Sequence, residues 1–201
     1  MVALQEIILA SASPRRKKLL EQIGLKFRVI PSRVEEIPEP GLEKRELVLR
    51  LANLKAGYVA GLYPWAIVLG ADTIVCCEGQ ILGKPRDRDD AARMLRLLSG
   101  RIHEVITGLV LRQESRGLVR TEAVTTLVRF RDLSQREIDG YIATGEPFDK
   151  AGAYGIQGYG ALLVESINGC YFNVVGLPLS RLAAMFRDFG VELLCPNLNT
   201  V

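Results

Sequence analysis

The chain has 201 residues, 48% of them hydrophobic and 24% charged, the balance of an ordinary globular protein with enough apolar material for a well-buried core. A formal net charge of +3, from 26 basic and 23 acidic residues, is too slight to argue for nucleic acid, and no basic block interleaves with aromatics. No apolar run approaches the ~20 residues of a membrane span, and the start Met1-Val2-Ala3-Leu4-Gln5-Glu6 has no basic segment leading into an apolar one. The expectation is a cytoplasmic protein with no membrane or nucleic-acid partner.

In chain order, the first element is the apolar run Ile7-Ile8-Leu9-Ala10, which reads as a strand and opens directly into Ser11-Ala12-Ser13-Pro14-Arg15-Arg16. Ser13 suits the N-cap of a helix and Pro14 its first position, where a missing N–H costs nothing. Such a helix start offers backbone N–H groups and a positive dipole end to an anion, and arginine forks match phosphate oxygens. Ser11, Ser13, Arg15 and Arg16 are therefore candidate phosphate-binding residues, against the plainer reading of two arginines on a solvated helix face. Gly24 is the stop signal.

Residues 43–60 show helical spacing through Leu47, Leu51 and Leu54, with Gly61 past the end. A short strand, Ala66 to Ala71, then brings Asp72-Thr73 to its end, and Ile74 to Cys77 with Gln80 to Leu82 forms a hairpin about Glu78-Gly79. A helix through Ala91, Met94, Leu95 and Leu98 stops at Ser99-Gly100. Val105–Arg112 and Leu118–Phe130 read as an antiparallel ribbon. Ser134 and Glu137 make a capping box for a helix through Tyr141, Pro178 opens the last helix, and Gly190 closes it. Residues 195–201 read as a C-terminal tail after one domain of residues 1–194. The mixture is α/β with a mixed sheet.

Asp72 at a strand end is a candidate functional carboxylate, since strand ends open into the crevices where α/β proteins bind ligands. Glu35 and Glu36, between Pro31 and Pro38, are candidate further oxygen ligands of a hard cation such as Mg²⁺, with Asp72 as the third. Lys55 and Lys84 can each aim an ammonium at a phosphate, although either one alone reads as a surface lysine. His103 reads as structural or exposed. Cys76, Cys77, Cys170 and Cys195 form no CxxC pair, so structural zinc is not expected and Cys76 and Cys77 read as buried thiols. The stretch from Phe148 to Gly160 mixes glycine, aromatic and polar residues in the manner of a binding loop. Its G-x-x-G-x-G order is not a dinucleotide fingerprint, and Pro85 after Lys84 excludes a Walker-type loop.

Together, the SASPRR start, Gly70-Ala71-Asp72-Thr73, Gly83-Lys84-Pro85-Arg86, Thr107-Gly108, the stretch Asp149 to Gly158, and Val175-Gly176-Leu177-Pro178 resemble the Maf family of nucleoside triphosphate pyrophosphatases. The resemblance runs from about Ile7 to about Leu194. It implies a fold like that of the inosine-triphosphate pyrophosphatases, an elongated mixed sheet with flanking helices and two lobes around a nucleotide cleft. It implies hydrolysis between the α- and β-phosphates with a divalent cation, Mg²⁺ or Mn²⁺, with Asp72 as general base or metal ligand and Arg15, Arg16, Lys55 and Lys84 on the phosphates. Arg15, Thr73 and Gln157 match the branch that acts on dTTP and UTP, with modified pyrimidine nucleotides as further substrates. Gln157 carries an amide donor and acceptor suited to the N3–H and O4 edge of uracil or thymine. A homodimer is a further expectation from the family. Two other functions compete: a haloacid-dehalogenase type phosphatase, which needs a second aspartate where Ile74 stands, and a nucleotide-binding regulator of septum formation without essential catalysis.

Overall fold

The structure, a computed structural model, describes residues 5–34 and 41–194. Glu35, Glu36 and the tail 195–201 lie outside the described residues. The chain runs β1 (Ile7–Leu9), α1 (Pro14–Gln22), β2 (Arg28–Val29), α2 (Lys44–Leu62), β3 (Ile67–Cys77), β4 (Gln80–Leu82), α3 (Arg88–Leu98), β5 (Ile102–Gln113), β6 (Leu118–Phe130), α4 (Gln135–Ala143), β7 (Val164–Asn168), α5 (Tyr171–Val175) and α6 (Leu179–Asp188). One seven-stranded sheet has the order β2-β1-β3-β5-β6-β7, with β4 paired to β3. β1 is parallel to both β2 and β3, while β3 with β4 and β6 with β7 are antiparallel. The parallel pairs follow from chain order: α1 lies between β1 and β2 and α2 precedes β3, the helical crossovers that parallel neighbours need.

Local signals account for most element ends. The Ser13 side chain accepts from the Arg16 N–H with Pro14 in the first turn, and Gly24, at φ +69°, ends that helical stretch. Glu78 and Gly79, at φ 49° and 77°, make the two-residue turn that matches strand twist in a hairpin. At α4 the capping box is complete, with Glu137 accepting from the Ser134 N–H at 2.8 Å.

Three elements differ from expectation. β3 does not end at Asp72; it is one 11-residue strand with Asp72 in its middle, because the apolar residues on both sides pair with neighbouring strands and carry the polar pair along. α2 continues through Gly61 to Leu62 and ends just before Pro64, where the residue ahead of a proline leaves the helical region. The short helix α5 carries no cap or period long enough to be read.

The chain divides into two compact units: Met1–Asp72 with Gly108–Ala123 and Gly176–Val201, and Thr73–Thr107 with Val124–Val175. In the first, Ile8, Ala52, Ala56, Val59, Val68 and Val110 form a core. In the second, Leu95, Leu98, Phe130, Ile138, Tyr141 and Tyr154 form another.

In the first unit α2 lies directly on strand backbone. A Cβ at Gly108 would stand 2.5 Å from the Val48 carbonyl oxygen, and one at Gly70 would collide with the Ala52 carbonyl and the Ala56 side chain. Gly108→Ala is therefore expected to destabilise by about 1–3 kcal/mol, the cost of overpacking a fitted interface. Gly61→Ala, on the same helix with nothing within 4 Å of the added carbon, is expected to stabilise by up to ~1 kcal/mol through helix propensity. Urea midpoints that move in the same direction for both variants would refute the close seating of α2.

Candidate active site

The start of α1 is built as the sequence suggests, but its polar groups are turned inward. Ser13 caps the helix through Arg16 N at 3.4 Å, and Ser11 Oγ accepts from Ser13 N at 3.2 Å and from Arg16 Nη1 at 3.1 Å. Arg16 Nε donates to the Gly176 carbonyl at 2.9 Å. Arg16 is buried and Arg15 half-buried, so Arg16 acts first as a tie between the helix start and the Gly176 turn.

Lys55 and Asp72 are brought together. Lys55 Nζ stands 2.5 Å from Asp72 Oδ1, and the two side chains retain only 12% and 10% of their exposure, so the pair is largely withdrawn from water. A charge-assisted contact this short is at the strong end of such bonds. Lys55 reaches the carboxylate because α2 sits against β3 at Gly70, where only a glycine leaves room. One carboxylate has about four lone-pair positions, and Lys55 uses one of them.

In the second unit, Thr73 is the only residue of β3 that is not buried. Its Oγ1 lies 2.9 Å from Thr107 Oγ1, and Thr107 Oγ1 donates to the Asn173 carbonyl at 3.1 Å. Asn173 Nδ2 in turn donates to the Val105 carbonyl and to Thr126 Oγ1, both at 2.9 Å. Asn173 and Thr126 were not legible as site residues. The available signal was polar residues inside two apolar stretches, Asn173 within Phe172 to Val175 and the pair Thr125-Thr126 within Ala123 to Val128.

Lys84 is exposed in the turn after β4, and the carbonyl of its neighbour Gly83 accepts from Gly152 N at 3.0 Å. That bond joins the lysine turn to the glycine-rich loop. Gln157 is exposed and extended, at φ −92° and ψ 165°, just before a 3₁₀ turn over Gly158–Leu162. Around it the loop is held by Glu146, whose carboxylate accepts from Tyr159 N at 3.1 Å and Gly160 N at 3.3 Å, and by the Tyr141 hydroxyl, which accepts from Gly155 N at 3.2 Å.

Among the described residues no group of three or more His, Cys, Asp or Glu side chains could hold a metal ion. Asp72 alone still fits a magnesium-type cation, which commonly takes one or two carboxylates and completes its shell with substrate phosphates and water. Where a dehalogenase-type phosphatase would need its second aspartate stands the buried Ile74.

The fold is shared with a solved structure described as a HAM1 protein from Coxiella burnetii, which matches with a TM-score of 0.52 over 92% of this chain and 100% of that one at 14% identity. The chain belongs to the Maf-like protein family, whose profile matches residues 6–189. It is 48% identical over 191 residues to a protein of Pelotomaculum thermopropionicum named dTTP/UTP pyrophosphatase, covering 95% of this chain and all of that one. Proteins of the same name from Symbiobacterium thermophilum and Moorella thermoacetica are 53% and 51% identical, each over 94% of this chain and 97% and 98% of theirs.

His103 lies outside this chemistry. It is buried, its Nε2 stands 2.7 Å from the Tyr154 hydroxyl, and its ring meets Phe130 and Tyr154 edge to face at 5.1 and 5.3 Å. Burial lowers its pKa from 6.5 to about 4. Between those values the unfolded chain binds a proton that the folded chain does not, so stability is lost as pH falls from about 6.5 to about 4 and levels off below. The expected loss is about 3 kcal/mol. Urea unfolding across that range should show it, and His103→Gln should flatten the profile; an equal slope in the variant would assign the effect to other groups.

Proposed function

We propose that this chain is a nucleoside triphosphate pyrophosphatase that hydrolyses dTTP and UTP to the nucleoside monophosphate and pyrophosphate. The observation that carries the reading is the withdrawn Lys55–Asp72 pair in a chain about half identical, over nearly its whole length, to proteins named for that activity. A water oxygen bonds to the α-phosphorus, the bond to the α–β bridging oxygen breaks, and pyrophosphate leaves with the electron pair. Asp72, oriented by Lys55, takes the water proton or holds the cation. Asp72, with Glu35 and Glu36 as further candidates, would hold a divalent cation, which when bound would supply neutralisation of phosphate charge and polarisation of the phosphoryl group. Ser11, Ser13, Arg15, Arg16, Lys55 and Lys84 meet the phosphates, while Arg15, Thr73 and Gln157 select the base.

The family resemblance adds to this reading a house-cleaning role in the cytoplasm and a homodimer. No helix among the described residues is long and apolar enough to cross a membrane.

A panel of nucleoside triphosphates assayed for products tests the reaction: pyrophosphate supports it, stepwise inorganic phosphate or no turnover rejects it. Asp72→Asn keeps an acceptor for Lys55 but removes charge and basicity, so kcat should fall ~10²–10⁴-fold with circular dichroism unchanged. Turnover within a few-fold of the parent would remove Asp72 from the mechanism.

Gln157→Glu tests the base. A carboxylate offers no donor to O4, so kcat/KM for dTTP and UTP should fall while that for CTP does not, because a site left with an unmatched polar group discriminates strongly. An unchanged ranking would end the base-reading role of Gln157.

A further inference from the structure

Three buried polar groups behind Thr73 settle the direction of its hydroxyl proton. The Asn173 carbonyl has no proton to give, so at 3.1 Å it must accept from Thr107 Oγ1. Thr107 has a single hydroxyl proton, and with that proton committed its oxygen can only accept, at 2.9 Å, from Thr73 Oγ1. Thr107 and Asn173 are fully buried, so water offers no alternative partner and no easy reversal.

The end of this chain is itself anchored. Asn173 donates from Nδ2 to the Val105 carbonyl and Thr126 Oγ1, both at 2.9 Å, and from its backbone N–H to the Cys170 carbonyl at 3.1 Å. Thr126 Oγ1 donates to the same Cys170 carbonyl at 3.2 Å and accepts from Cys170 N at 3.0 Å. The Asn173 carbonyl therefore cannot swing away from Thr107 without breaking several buried bonds.

We propose that Thr107 is a positioning residue that locks the Thr73 hydroxyl as a hydrogen-bond acceptor, so that Thr73 selects pyrimidines carrying an N3–H over those with a bare N3. A freely turning threonine offers a donor or an acceptor and distinguishes neither base. A locked one offers only lone pairs, which pair with the N3–H of uracil or thymine and repel the N3 lone pair of cytosine. Gln157 is then left to donate to O4. This inference rests on the proposed nucleotide site and deepens it: the choice of base is built into the core behind Thr73 as well as into the loop around Gln157.

The test compares UTP with CTP in parent, Thr107→Val and Thr107→Ser. Removing the Thr107 hydroxyl frees the Thr73 proton, and the UTP:CTP ratio of kcat/KM should narrow about tenfold, the worth of one hydrogen bond, mainly through a higher KM for UTP. Thr107→Ser should restore most of the ratio. Should Thr107→Val fail to fold, Thr73→Val at the less buried position serves: UTP should lose and CTP should not. A folded Thr107→Val or Thr73→Val that keeps the parental ratio, or weakens both nucleotides equally, overturns the proposal. Binding of the non-cleavable α,β-methylene analogues of UTP and CTP separates it from the hydrolytic reading. A parent that prefers the UTP analogue yet releases no pyrophosphate from UTP refutes the reaction while the lock is judged on binding ratios. A parent that binds neither analogue, or prefers that of CTP, overturns the lock as well.

Discussion

The close seating of α2 on the backbone of β3 and β5 is the constraint on which the Lys55–Asp72 pair depends. Side chains normally hold packed layers of helices or strands about 8–10 Å apart. Here Gly70 and Gly108 on the strands, and Ala52 and Ala56 on the helix, remove that padding. The shortened distance lets a lysine in the middle of α2 reach a carboxylate in the middle of β3 at 2.5 Å. An ion pair so withdrawn from water carries a desolvation cost that its mutual attraction only partly offsets. Such a pair is weak evidence of a stabilising role and fits better with a carboxylate held in one orientation for chemistry.

The polar residues of the second unit follow a different logic. Thr107, Thr126 and Asn173 lie in or beside strands that otherwise supply core, and each is fully buried. A buried hydroxyl or amide costs a few kcal/mol unless it is bonded. These three bond to each other and to the Val105 and Cys170 carbonyls rather than remain scattered. The exception is Asn173 Oδ1, which has no hydrogen-bond partner. Apolar residues of the same shape would pack as well without that cost, so the network's one evident product is the fixed geometry it gives to Thr73.

Elements specified by neighbouring residues were legible before the structure. The Ser13-Pro14 helix start, the Ser134–Glu137 capping box, the Glu78-Gly79 turn and the stops at Gly24, Gly100 and Gly190 each depend on a few adjacent positions, and the φ values of those glycines, between 68° and 78°, show why glycine stands there. What failed to read depends on partners distant in sequence. β3 runs on through Asp72 and Thr73 because β1 and β4 pair with opposite ends of it. Nothing near Arg16 in sequence announces that it is buried and donates from Nε to the Gly176 carbonyl, 160 residues away. Position on a strand already marked Asp72 as a candidate carboxylate, whereas Lys55 read alone as a surface lysine, because its contact with Asp72 joins residues 17 apart on different elements.

Selectivity between uracil and cytosine poses a problem that shape cannot solve, since the two rings have nearly the same outline and differ in the direction of two hydrogen bonds. A site discriminates between them only if its own donors and acceptors are unable to reverse. An amide on an exposed loop, such as Gln157, can flip end for end at the cost of exchanging one pair of bonds for another with water. A hydroxyl tied through a second hydroxyl to a carbonyl cannot, because reversal would set two oxygens facing each other at 2.9 to 3.1 Å with no proton between them. Rigidity of this kind must come from residues that never touch the ligand, and it is most secure where water is excluded. Burying that support beneath a strand rather than placing it in the loop makes the polarity at Thr73 independent of the bonds the Gln157 amide makes.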